Sequence, residues 1–193
     1  MRNLIRPAKL ADAQQAIPIL MQIIHDMEIP VVKSVGEDKI QDLLIDAFAA
    51  PDYRYGYPQM LVYVDEQTDK VLGICVGYPA AKEANIDDGL RPYLANHGLP
   101  ADFAMFSDVE AQPGEWYLDS LAVAPDAQGQ GIGGQLLDYL NDWLKQKGET
   151  LISLNVDLGN PKAKRVYTHH GFVKDSEIMI GSHRYEHLLR PIK

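Results

Sequence analysis

The chain has 193 residues, 46% hydrophobic and 23% charged, which suits one globular domain over 1–193 whose core needs no disulfide or metal staples. A formal charge of -9 and a pI of about 5.0 exclude a phosphate backbone as a natural partner and favour, more weakly, a cationic acceptor such as an amine. The lone Cys75 excludes an internal disulfide framework, and no apolar run approaches the roughly 20 residues of a membrane span. The segment Met1-Arg2-Asn3-Leu4-Ile5-Arg6-Pro7 is too short and interrupted for a signal peptide, so the expected location is cytoplasmic, with no membrane and no nucleic acid as partner.

Leu4-Ile5-Arg6 reads as a first strand closed by Pro7. Residues 10 to 27 place Ile17, Leu20, Met21, Ile24 and Met27 at helical spacing, with Asp12 as N-cap and Pro18 predicting a kink or a late start. A second helix is expected over about 36 to 49, where Ile40, Leu43, Leu44 and Phe48 form one stripe ahead of Pro51. Two strand-like runs, 59–64 and 70–78, flank the turn 65–69 and predict an antiparallel hairpin. Cys75 lies inside the second run, where it reads as a small buried hydrophobe. Residues 79–114 break the rhythm and read as an insertion on the substrate side, with Tyr78, Tyr93, Phe103 and Phe106 as candidate pocket walls.

The second half alternates regularly. Trp116 to Ala124 is a predicted strand, Gly131 to Lys147 a helix, Thr150 to Val156 a strand and Pro161 to His169 a helix. Two further strands from Phe172 onward meet near Gly181-Ser182. The order predicts an α/β (α+β) mixture around one mostly antiparallel sheet.

The richest segment runs from Asp119 to Gly134. A buried strand enters a tight loop that opens a strong amphipathic helix. The first N–H groups of a helix lack intrahelical acceptors, and its dipole adds roughly half a positive charge there. Gly129, Gly131 and Gly133 remove side chains that would hold an oxygen-rich ligand away, so a phosphate or pyrophosphate site is expected. Gly134-Gln135 stands where a P-loop needs Lys-Ser/Thr, and the Gly129-x-Gly131-x-Gly133 spacing differs from the dinucleotide GxGxxG.

Gln128-Gly129-Gln130-Gly131-Ile132-Gly133 resembles the Q/R-x-x-G-x-G/A signature of the GNAT superfamily of N-acetyltransferases. Leu154-Asn155-Val156, Asn160, Ala163, Tyr167 and Gly171-Phe172 resemble that superfamily's next motif in order and separation. The resemblance covers about 115 to 173 and implies a GNAT-like, mostly antiparallel central sheet flanked by helices and splayed at the cofactor site, between its fourth and fifth strands. It implies acetyl transfer from acetyl-CoA (coenzyme A) to a primary amine, expected on a small molecule. Peptide or protein N-acetylation and a non-catalytic acyl-CoA-binding domain are the alternatives. A homodimer is compatible with such a family.

The resemblance also assigns residues. Gln128, Gly129, Gln130, Gly131, Ile132, Gly133 and Gly134 would surround the pyrophosphate, mainly through backbone amides. The main chain of Leu121, Ala122 and Val123 would pair with the pantetheine arm as an added strand does. Asn160 would bond the cofactor, although Asn160-Pro161 is also a good helix start. Tyr167 would be the general acid toward the leaving thiolate, and a backbone N–H near Ala122 would meet the oxyanion. Asp119 is the candidate general base, with Glu115 in reserve, because Asn155 cannot act as one. His169 and His170 suit a helix C-terminus. His183 and His187 lack the Glu and the helix of a zinc motif, so no metal is expected.

Overall fold

The structure is a computed structural model, which describes residues 3–193; the expectation for Met1 and Arg2 lies outside the described residues. Strands β1 (Asn3–Pro7), β2 (Met60–Asp65), β3 (Lys70–Pro79), β4 (Trp116–Val123), β5 (Leu151–Asp157), β6 (Val173–Ile180) and β7 (His183–Pro191) form one sheet in the order β1-β2-β3-β4-β5-β7-β6. Every neighbouring pair is antiparallel except β4 and β5. That parallel pair is in register only at Trp116↔Ile152 and Tyr117↔Ser153. Beyond those pairs the two strands part, and the sheet opens between its fourth and fifth strands as expected.

Among the described residues six α-helices accompany the sheet: α1 (Ala13–Asp26), α2 (Pro30–Val35), α3 (Glu37–Ala47), α4 (Arg91–Leu94), α5 (Ile132–Gln146) and α6 (Pro161–His169). Helix α1 buries Ala16, Ile17, Leu20 and Ile24 and packs on β3, β4 and α3. It starts five residues before Pro18 and runs through it, so the expected late start is not found. Pro18 lies on the exposed side, where the Gln14 carbonyl left without its N–H donor can turn to water.

Asp12 precedes α1 as expected, but its side chain makes no cap bond to that helix. Its carboxylate instead accepts from Arg6 at 2.7 and 2.9 Å and from the Lys9 amide at 2.7 Å. Helix α2 is not expected from the sequence, since Val31 and Val32 favour strand; Pro30 at its first turn and the positive φ of Gly36 (100°) delimit it. Helix α3 buries Ile40, Leu43 and Leu44, and α5 buries Ile132, Leu136, Leu137, Leu140 and Leu144 in one stripe against β2, β3 and β4.

The 79–114 segment forms 3-10 turns over Ala80–Leu90 and Ala95–His97 around α4, then an irregular run into β4. Glu83 ties that run down, accepting from the amides of Glu110 (2.8 Å) and Ala111 (3.1 Å).

Candidate active site

The loop between β4 and α5 has the backbone its glycines require. Gly129 and Gly131 have φ of 77° and 76°, the left-handed region that costs other residues about 1–2 kcal/mol. The first bond closing α5 runs from the Gln135 amide to the Gly131 carbonyl at 3.1 Å, so the N–H groups of Ile132, Gly133 and Gly134 precede it without an intrahelical acceptor. The Ile132 side chain is buried, which leaves its amide as the group available to a ligand. Gln128 donates to the Val123 carbonyl at 3.3 Å and so braces the loop against β4, while Gln130 is exposed.

Gly134 faces α6 across a cavity of about 880 Å³ bordered by Gly131, Arg165, His169 and His170. A Cβ on Gly134 would stand 2.8 Å from His170 Nε2. His170 sits at the C-terminal end of α6, as expected, and its Nδ1 meets Asp138 at 3.0 Å. The donor-rich helix start, the positive dipole end and Arg165 together suit a polyanion.

A second cavity, of about 470 Å³, fills the gap where β4 and β5 part. Tyr117, Asp119 and Leu121 of β4 line one side; Asn155, Val156 and Asp157 of β5 line the other. Leu121, Ala122 and Val123 are half-buried, and of the three Leu121 reaches the cavity wall. Asn160 lines the same cavity and also caps α6, its Oδ1 accepting from the Ala163 amide at 3.0 Å. Tyr167 enters from α6 and is held edge-on against Phe172 at 5.9 Å between ring centres. Burial, with a smaller contribution from the Cys75 thiol, pushes the Tyr167 hydroxyl above the usual phenol range, so it carries its proton at neutral pH.

Asp119 lies in the cavity wall with its side chain 4% exposed, and three donors hold its carboxylate. Arg54 donates to Oδ2 at 2.9 Å, Tyr78 to Oδ2 at 3.3 Å and Ser120 to Oδ1 at 2.8 Å. Arg54 comes from the turn after α3 and also grips both oxygens of Asp87 at 3.0 Å. Its Cζ lies 4.4 Å from the Phe106 ring centre, which places one expected wall residue beside the site. Tyr78 is a second; Tyr93 and Phe103 pack against the main core instead. Burial opposes the charge on Arg54, but Asp119 leads the surrounding groups that outweigh it, so the guanidinium stays charged.

Glu110 gave no signal in the sequence beyond its place in a long irregular segment. It is 6% exposed, yet it lines the β4–β5 cavity and accepts from the Tyr117 hydroxyl at 2.6 Å. Burial first and the Asp119 charge second push its carboxyl up to about 7, against the opposing pull of Arg54 and the Tyr117 hydrogen bond. Asn155 anchors it from β5, donating to the Glu110 carbonyl at 3.0 Å and to Tyr117 at 3.2 Å. His187 joins Asn155 (2.7 Å) to Glu115 (3.1 Å), so Glu115 is engaged behind the cavity wall rather than in it. His183 lies within 3.1 Å of Asp157 at the cavity edge. Cys75 is buried and its thiol is pushed up to about 12 by burial, which removes it as a nucleophile near neutral pH.

The fold is that of known acetyltransferases. A crystal structure of an acetyltransferase is 40% identical, covers 98% of this chain and 100% of its own, and superposes with a TM-score of 0.87. That of an N-acetyltransferase from Staphylococcus aureus Mu50 is 27% identical, covers 97% and 100%, and has a TM-score of 0.78. The model of the Acetyltransferase (GNAT) family matches residues 36–172, and the chain belongs to that family. Mycothiol acetyltransferase of Beutenbergia cavernae is 40% identical over 86 residues, which are 45% of this chain and 26% of that relative, so the match spans about a quarter of the relative's length.

Proposed function

We propose that the protein transfers an acetyl group from acetyl-CoA to a primary amine of a small molecule by direct attack. The observation that carries this is the parting of β4 from β5, which leaves a cavity between two open strand edges with Tyr167 inside it. The β4 edge offers amide partners to a pantetheine arm, and the helix start at Gly129–Gly134 offers N–H donors to a pyrophosphate. Leu121 to Val123 would hold the thioester arm, with an amide near Ala122 facing the developing oxyanion. Tyr167 keeps a proton that it can give to the departing sulfur. The name of the Beutenbergia cavernae relative speaks for acetyl transfer. Among the described residues, four carboxylates line the cavity, at Asp26, Glu110, Asp119 and Asp157, and none of its lining residues is a lysine or arginine. That balance favours a cationic acceptor.

Calorimetry with coenzyme A followed by a thiol-release assay tests this. Spermidine, tyramine, glucosamine and an alanine-initiated peptide serve as acceptors. Heat of binding and faster release with a small amine than with the peptide are expected. Absence of heat well above micromolar coenzyme A overturns the cofactor assignment. Binding without release from any acceptor overturns the transfer, and a preference for the peptide overturns the small-molecule acceptor.

A further inference from the structure

An acceptor amine is mostly an ammonium at neutral pH, so its proton must leave before nitrogen can attack a thioester. The group that takes it must reach the cavity that holds Tyr167, must be ionised, and must have an oxygen free to accept. The four cavity carboxylates differ on these points. Asp119 has its oxygens occupied by Arg54, Tyr78 and Ser120. Asp157 accepts from the Gly159 amide at 2.6 Å and meets His183 with its other oxygen. Asp26 is exposed at the end of α1.

Glu110 alone combines burial with a vacant acceptor. Its Oε2 takes the Tyr117 hydroxyl; among the described residues its Oε1 receives no hydrogen bond, and Arg54 Nη1 stands 3.9 Å away. Glu110 also borders a third cavity, of about 370 Å³, lined by Met27, Met105, Phe106 and Ile180. The two cavities share Met27, Glu110, Ile180, His183 and Tyr185, so Glu110 stands where one meets the other.

We propose that Glu110 is the general base of the transfer, with Oε1 accepting a proton from the acceptor's ammonium as it passes from the third cavity toward Tyr167. This rests on the acyl-transfer function proposed above. The neutral nitrogen then attacks the thioester carbonyl, the C–N bond forms and the C–S bond breaks. Tyr167 protonates the leaving thiolate and regains its proton from the nitrogen, which is still doubly protonated at that stage. Glu110 releases the first proton to solvent, so one proton is lost per turnover. Asp119 is then a positioning residue, whose charge beside Glu110 favours the protonated carboxyl and sets where the base titrates.

The groups facing Glu110 define its pH dependence. Arg54, Tyr55, Tyr78 and Asp119 act from the turn after α3 and from β3 and β4; Glu83 acts from the segment after β3, Tyr117 from β4 and Tyr185 from β7. Burial and Asp119 outweigh Arg54 and the Tyr117 hydrogen bond, so the carboxyl titrates near neutrality.

The test compares the wild type, Glu110→Gln, Asp119→Asn and Tyr117→Phe in thiol release with acetyl-CoA and the most active amine of the panel above, from about pH 6 to 9. Wild-type turnover should fall on the acid side of about pH 7. Glu110→Gln should lower turnover about 100-fold and abolish that limb, with coenzyme A binding unchanged by calorimetry. Asp119→Asn removes a negative neighbour and should move the limb to lower pH. Tyr117→Phe removes a donor to the carboxylate and should move it to higher pH, which keeps the test decisive if Glu110→Gln does not fold. Undiminished turnover with an intact limb in Glu110→Gln, an unmoved limb in Tyr117→Phe, or a limb abolished by Asp119→Asn alone overturns the assignment while leaving acyl transfer standing. A wild type inactive with every amine overturns acyl transfer itself.

Discussion

Arg54 Nη1 lies 2.9 Å from Asp119 Oδ2, with the arginine side chain 2% exposed and the aspartate 4% exposed. The same guanidinium spans both oxygens of Asp87, so one cation on the turn after α3 ties the segment after β3 to the middle of β4. Removing it strands two carboxylates, one of them deeply buried, and an uncompensated buried charge is costlier than a lost surface pair. Arg54→Met should therefore destabilise the protein by on the order of 3–5 kcal/mol, read as a lower urea midpoint with little change in slope. A midpoint within experimental scatter of the wild type would show that the pair is not held as described.

Glu110 makes stability depend on pH in a direction opposite to that of a salt-bridged carboxylate. Its folded value of about 7 lies above the ordinary 4.5, so the folded chain keeps a proton that the unfolded chain releases across that window. The stabilisation is complete below about pH 4.5 and is lost as pH rises through about 7. Glu110→Gln should gain on the order of 3 kcal/mol relative to the wild type at high pH, with the difference closing toward low pH. Thermal melts at both extremes check this, and a constant difference contradicts it.

Two glycines separate backbone need from ligand need. Gly131→Ala forces a left-handed φ on alanine and should cost about 1–2 kcal/mol of stability. Gly133 has no such φ, and a Cβ there would meet only Leu121 Cδ2, at 3.9 Å. Gly133→Ala should keep or slightly raise the melting temperature but weaken coenzyme A binding about tenfold, the size of one impaired hydrogen bond to a charged group. Equal coenzyme A affinity in wild type and Gly133→Ala would move the pyrophosphate elsewhere.

Tyr167→Phe keeps the ring that packs on Phe172 and removes only the hydroxyl. Turnover should drop about 100-fold while coenzyme A affinity stays near wild type. If affinity falls and turnover does not, the hydroxyl is a binding group rather than an acid.

Much of this architecture is legible in the sequence alone. The stripe from Ile132 to Leu144, the hairpin around residues 65–69 and the Asn160-Pro161 helix start each rest on neighbours within a turn or two of chain. The short helix over Pro30–Val35 is not legible there because its β-branched residues favour strand, and packing of Val32, with Val31 and Val35 against the same core, overrides that preference. Asp12 stands at the expected helix boundary but with a different partner, since Arg6 sits beside it only once β1 and α1 are docked.

Local spacing thus accounts for most of the elements and for the glycine-lined helix start, because each depends on φ preferences and hydrophobic periods that neighbouring residues carry, whereas the role expected of Tyr167 came from the family resemblance. Folding in three dimensions settles the rest. Arg54, Asp87, Glu110 and Asp119 come from separate segments, and what each can do depends on the others' charge and on burial that no short window of chain contains. The parting of β4 from β5 after Tyr117 is likewise a property of two strands more than 25 residues apart, and it creates the cavity in which those side chains meet.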